Sequence, residues 1–172
     1  MKRKMLSAAI VAALSVGTAE AVNLHNFAGE VLLAPYYTVR DGQNMYMSVV
    51  NTTGDTKAIK VRFLEALNSR EVLDFNLYLS PYDVWTAGVM PTEEGAKLIT
   101  KDQSCTVPNI PTDGVEFRTF AFDGTLNQYP LDGGPIGKDR TREGHIEIIE
   151  MGIADMENPG YWDRNDNGIL DS

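Results

Sequence analysis

The densest run of hard oxygen ligands in the chain is Asp163-Arg164-Asn165-Asp166-Asn167-Gly168-Ile169-Leu170-Asp171. Calcium takes about six to eight oxygens, and a loop supplies them by setting short carboxylate or amide side chains at alternate positions around a glycine turn. Asp163, Asn165 and Asn167 stand at the first, third and fifth positions of such a loop, Gly168 at the sixth and Asp171 at the ninth. The twelfth position, which usually carries the bidentate acid, falls past Ser172. The run is therefore a partial EF-hand or dockerin-type loop, with Asp163, Asn165, Asn167 and Asp171 as candidate metal ligands and calcium as the one cofactor it raises. A bound ion there would brace a module rather than drive catalysis. A solvated Asn/Asp/Gly turn is the competing reading.

Other chemistry is thinner. Asp74 and Asn76, beside Glu71, sit on the outward face of an expected strand. Two carboxylates about 5–10 Å apart suit glycosidic hydrolysis, although exposed strand acids more often solubilise. The single Cys105 would need a nearby histidine to act as a nucleophile, and spacing gives that role to neither His25 nor His145. The same three residues make no zinc site, whose ligands come in threes or fours. Gly133 to Gly137 (GGPIG) lacks the Lys-Ser/Thr ending of a phosphate-binding loop. Tyr36, Tyr37, Tyr46, Tyr78, Tyr82, Trp85 and Tyr129 fall largely at strand ends and turns. There they serve either as plugs of a folded core or as contact residues for a protein or glycan partner.

The chain opens on an export signal. Lys2, Arg3 and Lys4 precede a charge-free apolar stretch, and Ala19-Glu20-Ala21 supplies the small–any–small pattern of a signal peptidase site. The expected leader is 1–21, the expected domain 22–155, and residues 156–172 form an Asn/Asp-rich tail. The apolar stretch is short for a membrane span, which needs about 20 residues, and nothing later reads as a transmembrane segment. Losing the leader moves the net charge from −9 to −11. A field of that sign, with no Lys/Arg cluster to offset it, argues against nucleic acid as a partner. Periplasm, outer surface and extracellular space all fit. In such oxidising places a lone cysteine raises a disulfide partner outside this chain, beside the alternatives of a buried inert thiol and an intermolecular bridge.

The elements that would position these groups read as strands. Glu30–Ala34 is a short apolar run stopped by Pro35. Met45, Met47 and Val49 alternate with Tyr46 and Ser48 within Asn44–Asn51. Ile59, Val61 and Phe63 alternate with Lys60 and Arg62, and Leu73, Phe75, Leu77 and Leu79 alternate with Asp74, Asn76 and Tyr78. A period of two belongs to half-buried strands, and Asn68-Ser69-Arg70 joins the last two as a hairpin. Arg62 and Arg70 are expected to pair with Glu65, Glu71 or Asp74. Val84–Val89 is a further strand with Trp85 between sheets, and 94–100 is a weaker candidate. Val115–Phe122 and Glu143–Met151 complete the set, while Cys105–Gly114 reads as a loop. Asp123–Arg142 is an irregular stretch long enough to suggest a binding loop or linker. No amphipathic helix separates the strands, so the fold class is mostly β: an immunoglobulin-like β-sandwich, with a partly open β-barrel as the alternative.

Several of these segments carry a resemblance: Asn51 and Thr52, Lys60–Phe63, Asn68–Arg70, Val72–Phe75, Leu79–Thr86 and Arg142–Gly152. In this pattern the chain resembles a group of uncharacterised secreted proteins of Gram-negative bacteria, and more distantly the cell-adhesion-type β-sandwich modules of bacterial surface proteins. The resemblance implies a longer natural protein and brings no catalytic residues. The combined expectation is a non-catalytic secreted or surface module with a structural or adhesive role. The alternative is an accessory domain or fragment of a secreted hydrolase, which would need acids such as Asp74, Asp123 and Asp139 to converge.

Overall fold

The structure, a computed structural model, describes residues 30–154. Nine strands follow in order: β1 (Val31–Thr38), β2 (Met45–Val50), β3 (Lys57–Glu65), β4 (Glu71–Leu79), β5 (Val84–Pro91), β6 (Ala96–Ile99), β7 (Cys105–Val107), β8 (Val115–Glu116) and β9 (Glu143–Ile153). They form two antiparallel sheets, a five-stranded one in the order β1-β9-β3-β4-β7 and a four-stranded one in the order β2-β5-β6-β8. These sheets face each other without closing into a barrel. The expected sandwich is the fold, and the barrel alternative is set aside.

Alternation in the sequence becomes burial in the structure. Leu73, Phe75, Leu77 and Leu79 all point into the core, none more than 5% exposed. Their transfer from water contributes roughly 6–12 kcal/mol before chain entropy is counted. Trp85 reaches across from β5 and lies 5.6 Å from the Phe75 ring on β4, tying the sheets together. A second aromatic group, Tyr37, Phe63 and Phe117, joins β1 and β3 to the chain leaving β8, with centroids 5.0–5.8 Å apart.

Four segments depart from the sequence reading. β1 runs through Pro35, which an edge strand tolerates because the missing N–H would face away from the sheet. A register shift between Ala34 and Tyr37 absorbs the irregularity. Cys105–Val107 is a strand rather than a loop, pairing with Asn76–Tyr78 of β4. Only Val115 and Glu116 of the expected strand 115–122 pair in a ladder with β6. The chain then crosses to the other sheet, where the Arg118 N–H donates to the Val72 carbonyl. Finally, the irregular stretch ends in a 3-10 turn, Lys138–Arg142, that is packed into the molecule: Arg140 and Thr141 are buried.

Candidate functional site

Several regions hold polar or exposed groups that the hydrophobic core does not explain, and two stand out. The first lies where the β3–β4 hairpin meets the 3-10 turn. Glu65, the last residue of β3, is fully buried, and its carboxylate accepts the N–H groups of Leu67 (2.7 Å), Asn68 (3.0 Å) and Arg70 (2.9 Å). It thus holds the hairpin loop from inside. Gly144 lets β9 pass this point, since a Cβ there would sit 1.9 Å from the Leu64 carbonyl oxygen.

Arg140 completes the cluster. Its Nη2 donates to Glu65 Oε1 at 2.9 Å and its Nε lies 2.9 Å from Glu65 Oε2. Nη1 donates to Asp132 Oδ1 (3.0 Å) and to the Pro135 carbonyl (3.2 Å). The guanidinium also stacks 4.4 Å above the Phe122 ring. Next in sequence, the Thr141 carbonyl accepts the buried Tyr37 hydroxyl, and Thr141 Oγ1 accepts the Ala96 N–H. Both sheets are therefore pinned to the irregular stretch.

The electrostatics follow from these partners. Burial opposes the charge on Glu65, but Arg140 and the three N–H groups outweigh it and hold its carboxyl below the usual range. Asp132 is held well below it, first by the Arg140 hydrogen bond and then by the Gly134 N–H. Asp132 and then Glu65 raise the Arg140 guanidinium in turn. Burial, followed by Glu65 and Glu143, keeps the Tyr37 phenol protonated far above its ordinary range. Glu65, Asp132 and Arg140 are thus paired with one another and with the hairpin backbone, an arrangement that ties the loop to the 3-10 turn.

The outer face of the five-stranded sheet is also charged, and its groups are paired across strands. Arg62 bridges Glu71 (3.0 Å) and Glu147 (2.8 Å), Lys60 pairs with Asp74, and Lys57 pairs with Glu150 at 2.7 Å. Of the pairings expected for Arg62, the one with Glu71 forms. Glu65 instead takes Arg140, and the Arg70 side chain lies 4.0 Å from Asp132.

The second region is the outer face of the four-stranded sheet. Tyr46 is 74% exposed there, with Val50 and Val84 beside it. The Tyr46 ring covers the backbone of Gly88, where an added Cβ would come 3.4 Å from the ring and 3.1 Å from Met90 Cε. A shallow groove of about 500 Å³ runs between Tyr46, Ser48, Thr86, Met90, Ile99 and Lys101. β2 and β5 bring no charged side chain to this face.

The residues singled out in the sequence distribute as follows. Asp163, Asn165, Asn167 and Asp171 lie outside the described residues, as do His25 and the expected leader 1–21. Asp74 is engaged by Lys60, Asp123 by Thr119 and Thr125, and Asp139 by Arg40 and Arg142. The three acids share no partner. Cys105 is a free, exposed thiol on the edge strand β7. Among the described residues no three His, Cys, Asp or Glu side chains gather as a metal site, and no helix is long and apolar enough to cross a membrane. Arg140 and Asp132 escaped the sequence reading, because the stretch Asp123–Arg142 carries no periodicity that would mark a buried residue. No family model, curated protein or solved structure matches this chain.

Proposed function

We propose that this chain is a non-catalytic, exported β-sandwich that serves as a structural or adhesive module. Its contact surface for a protein or glycan partner is the outer face of the four-stranded sheet. The observation that carries this reading is the unequal use of polar groups. The buried acid–base groups are tied to one another, whereas Tyr46, Met90 and Ile99 line an open groove beside an exposed tyrosine ring. Tyrosine favours such contacts because it buries area while keeping a polar tip. The leader sequence and the resemblance to secreted proteins of Gram-negative bacteria support export.

The test is to offer the chain from Val22 to Ser172 a panel of glycans and extended peptides, scoring retention and turnover together. Retention without turnover, lost in Tyr46→Ala, is the expected result. Turnover of any member that survives Tyr46→Ala would overturn the reading in favour of a hydrolase.

A further inference from the structure

The outer face of the four-stranded sheet carries more than an exposed ring. The outward side chains of β2 and β5 stand in opposed rows, Tyr46 opposite Gly88 and Ser48 opposite Thr86. Because Gly88 has no side chain, the Tyr46 ring leans over the β5 backbone, its Cε1 and Cδ1 3.4 and 3.5 Å from where a Cβ would stand. The sheet backs the ring, yet Tyr46 remains 74% exposed. In the next row the Ser48 and Thr86 hydroxyls, both on exposed residues, have no protein partner among the described residues. Successive outward residues of a strand lie about 6–7 Å apart, which sets this hydroxyl pair roughly one sugar unit from the ring.

Charge and backbone bonding select the occupant. Lys101 is the one ionic side chain lining the groove, and it has no carboxylate partner among the described residues. Asp102, next in the chain, has one oxygen taken by the Thr86 N–H and the other by the Ser104 N–H and hydroxyl. A basic ligand would meet Lys101, and an acidic one would approach a chain of net charge −9. An extended peptide holds a sheet mainly through main-chain hydrogen bonds, and β5 is already paired on both sides. β2 lies along Val84–Val89 and β6 along Gly88–Pro91. At Thr86 the N–H goes to Asp102 and the carbonyl accepts the Thr100 hydroxyl. We propose that the groove takes an uncharged glycan, with one pyranose ring stacked on Tyr46 and neighbouring hydroxyls bonded to Ser48, Thr86 and Lys101. A sugar offers the C–H face an aromatic ring accepts, and hydroxyls that donate and accept as those of Ser48 and Thr86 do. This assignment rests on the outer face being the contact surface and fixes the class of its ligand.

The chain from Val22 to Ser172 is titrated with cellohexaose, chitohexaose, maltohexaose and mannohexaose, followed by amide NMR shifts and calorimetry. At least one should bind, shifting Tyr46, Ser48, Thr86 and Gly88. Its Kd should change less than about 2-fold between roughly 0.05 and 0.5 M salt, because no charges pair. Tyr46→Ala should weaken binding at least ~10-fold, Tyr46→Phe should keep it, and Gly88→Val should weaken it by displacing an intact ring. Silence of all four sugars, or binding indifferent to Tyr46→Ala, would overturn the proposal. A Val/Thr octapeptide and hexagalacturonate are run beside them. If only one of these binds through Tyr46, the uncharged-glycan assignment falls while the face stands as a contact surface; if no probe depends on Tyr46, both fall. Should a variant lose its native circular dichroism, the wild-type shifts decide: shifts at Ser48 and Thr86 support the groove, and shifts confined elsewhere overturn it.

Discussion

The cluster of Glu65, Arg140 and Asp132 and the outer face of the four-stranded sheet sit in one small domain under opposite constraints. In the cluster, Glu65 and Arg140 are buried and Asp132 partly so, and each is held by several partners at hydrogen-bond distance. On the face, Tyr46 and Val50 are exposed, and β2 is an edge strand among the described residues. Burial leaves a polar group no alternative but to be satisfied within the fold. Exposure leaves a group available to something else. Substitutions in the first region should therefore move stability, and those in the second should move association while stability stays put.

The largest effect expected is at Arg140. Arg140→Met strands the Glu65 carboxylate in the interior, and breaking a buried pair this way costs about 3–5 kcal/mol. Equilibrium urea unfolding reads it directly. Acid should expose the same cluster in the wild type. Glu65 and Asp132 ionise below the usual range in the fold. Their contribution is therefore fully present above the unfolded carboxyl value of about 4 and fades as pH falls further. The urea midpoint should hold from neutrality to about pH 5, then drop, and drop less in Arg140→Met. Arg62→Ala, on the outer face of the five-stranded sheet, removes two partly exposed ion pairs and should cost no more than about 1 kcal/mol. Smallest of all, Tyr46→Ala should change stability by about 0.5 kcal/mol or less. A larger loss there would mean that the ring over Gly88 is structural, and the contrast between the two regions would blur.

What the sequence disclosed follows the same division. Leu73, Phe75, Leu77 and Leu79 were legible because a strand with one buried face must alternate, and a one-residue slip would expose the whole set. Trp85 was legible as a large apolar residue within a short strand. The hairpin at Asn68–Arg70 was legible as a turn, but not its anchor. Glu65 and Arg140 are 75 positions apart, and no local pattern distinguishes a buried ion pair from two solvated charges. β7 was hidden by Pro108 and Pro111, which made a loop of a three-residue strand. The stretch 115–122 alternates well, yet its neighbours in space end the ladder after Glu116. The groove on the four-stranded sheet was visible only as scattered aromatics, since its shape depends on which strands adjoin.

Native-state hydrogen exchange, resolved by residue, tests most directly whether the chain between β8 and β9 belongs to the same cooperative unit as the strands. The amide of Arg118, bonded to Val72, and that of Ala96, bonded to Thr141, report on it. Both are expected to exchange as slowly as Val61 and Phe75, through global unfolding alone. Rapid opening of Arg118 and Ala96 while Val61 and Phe75 stay protected would contradict it.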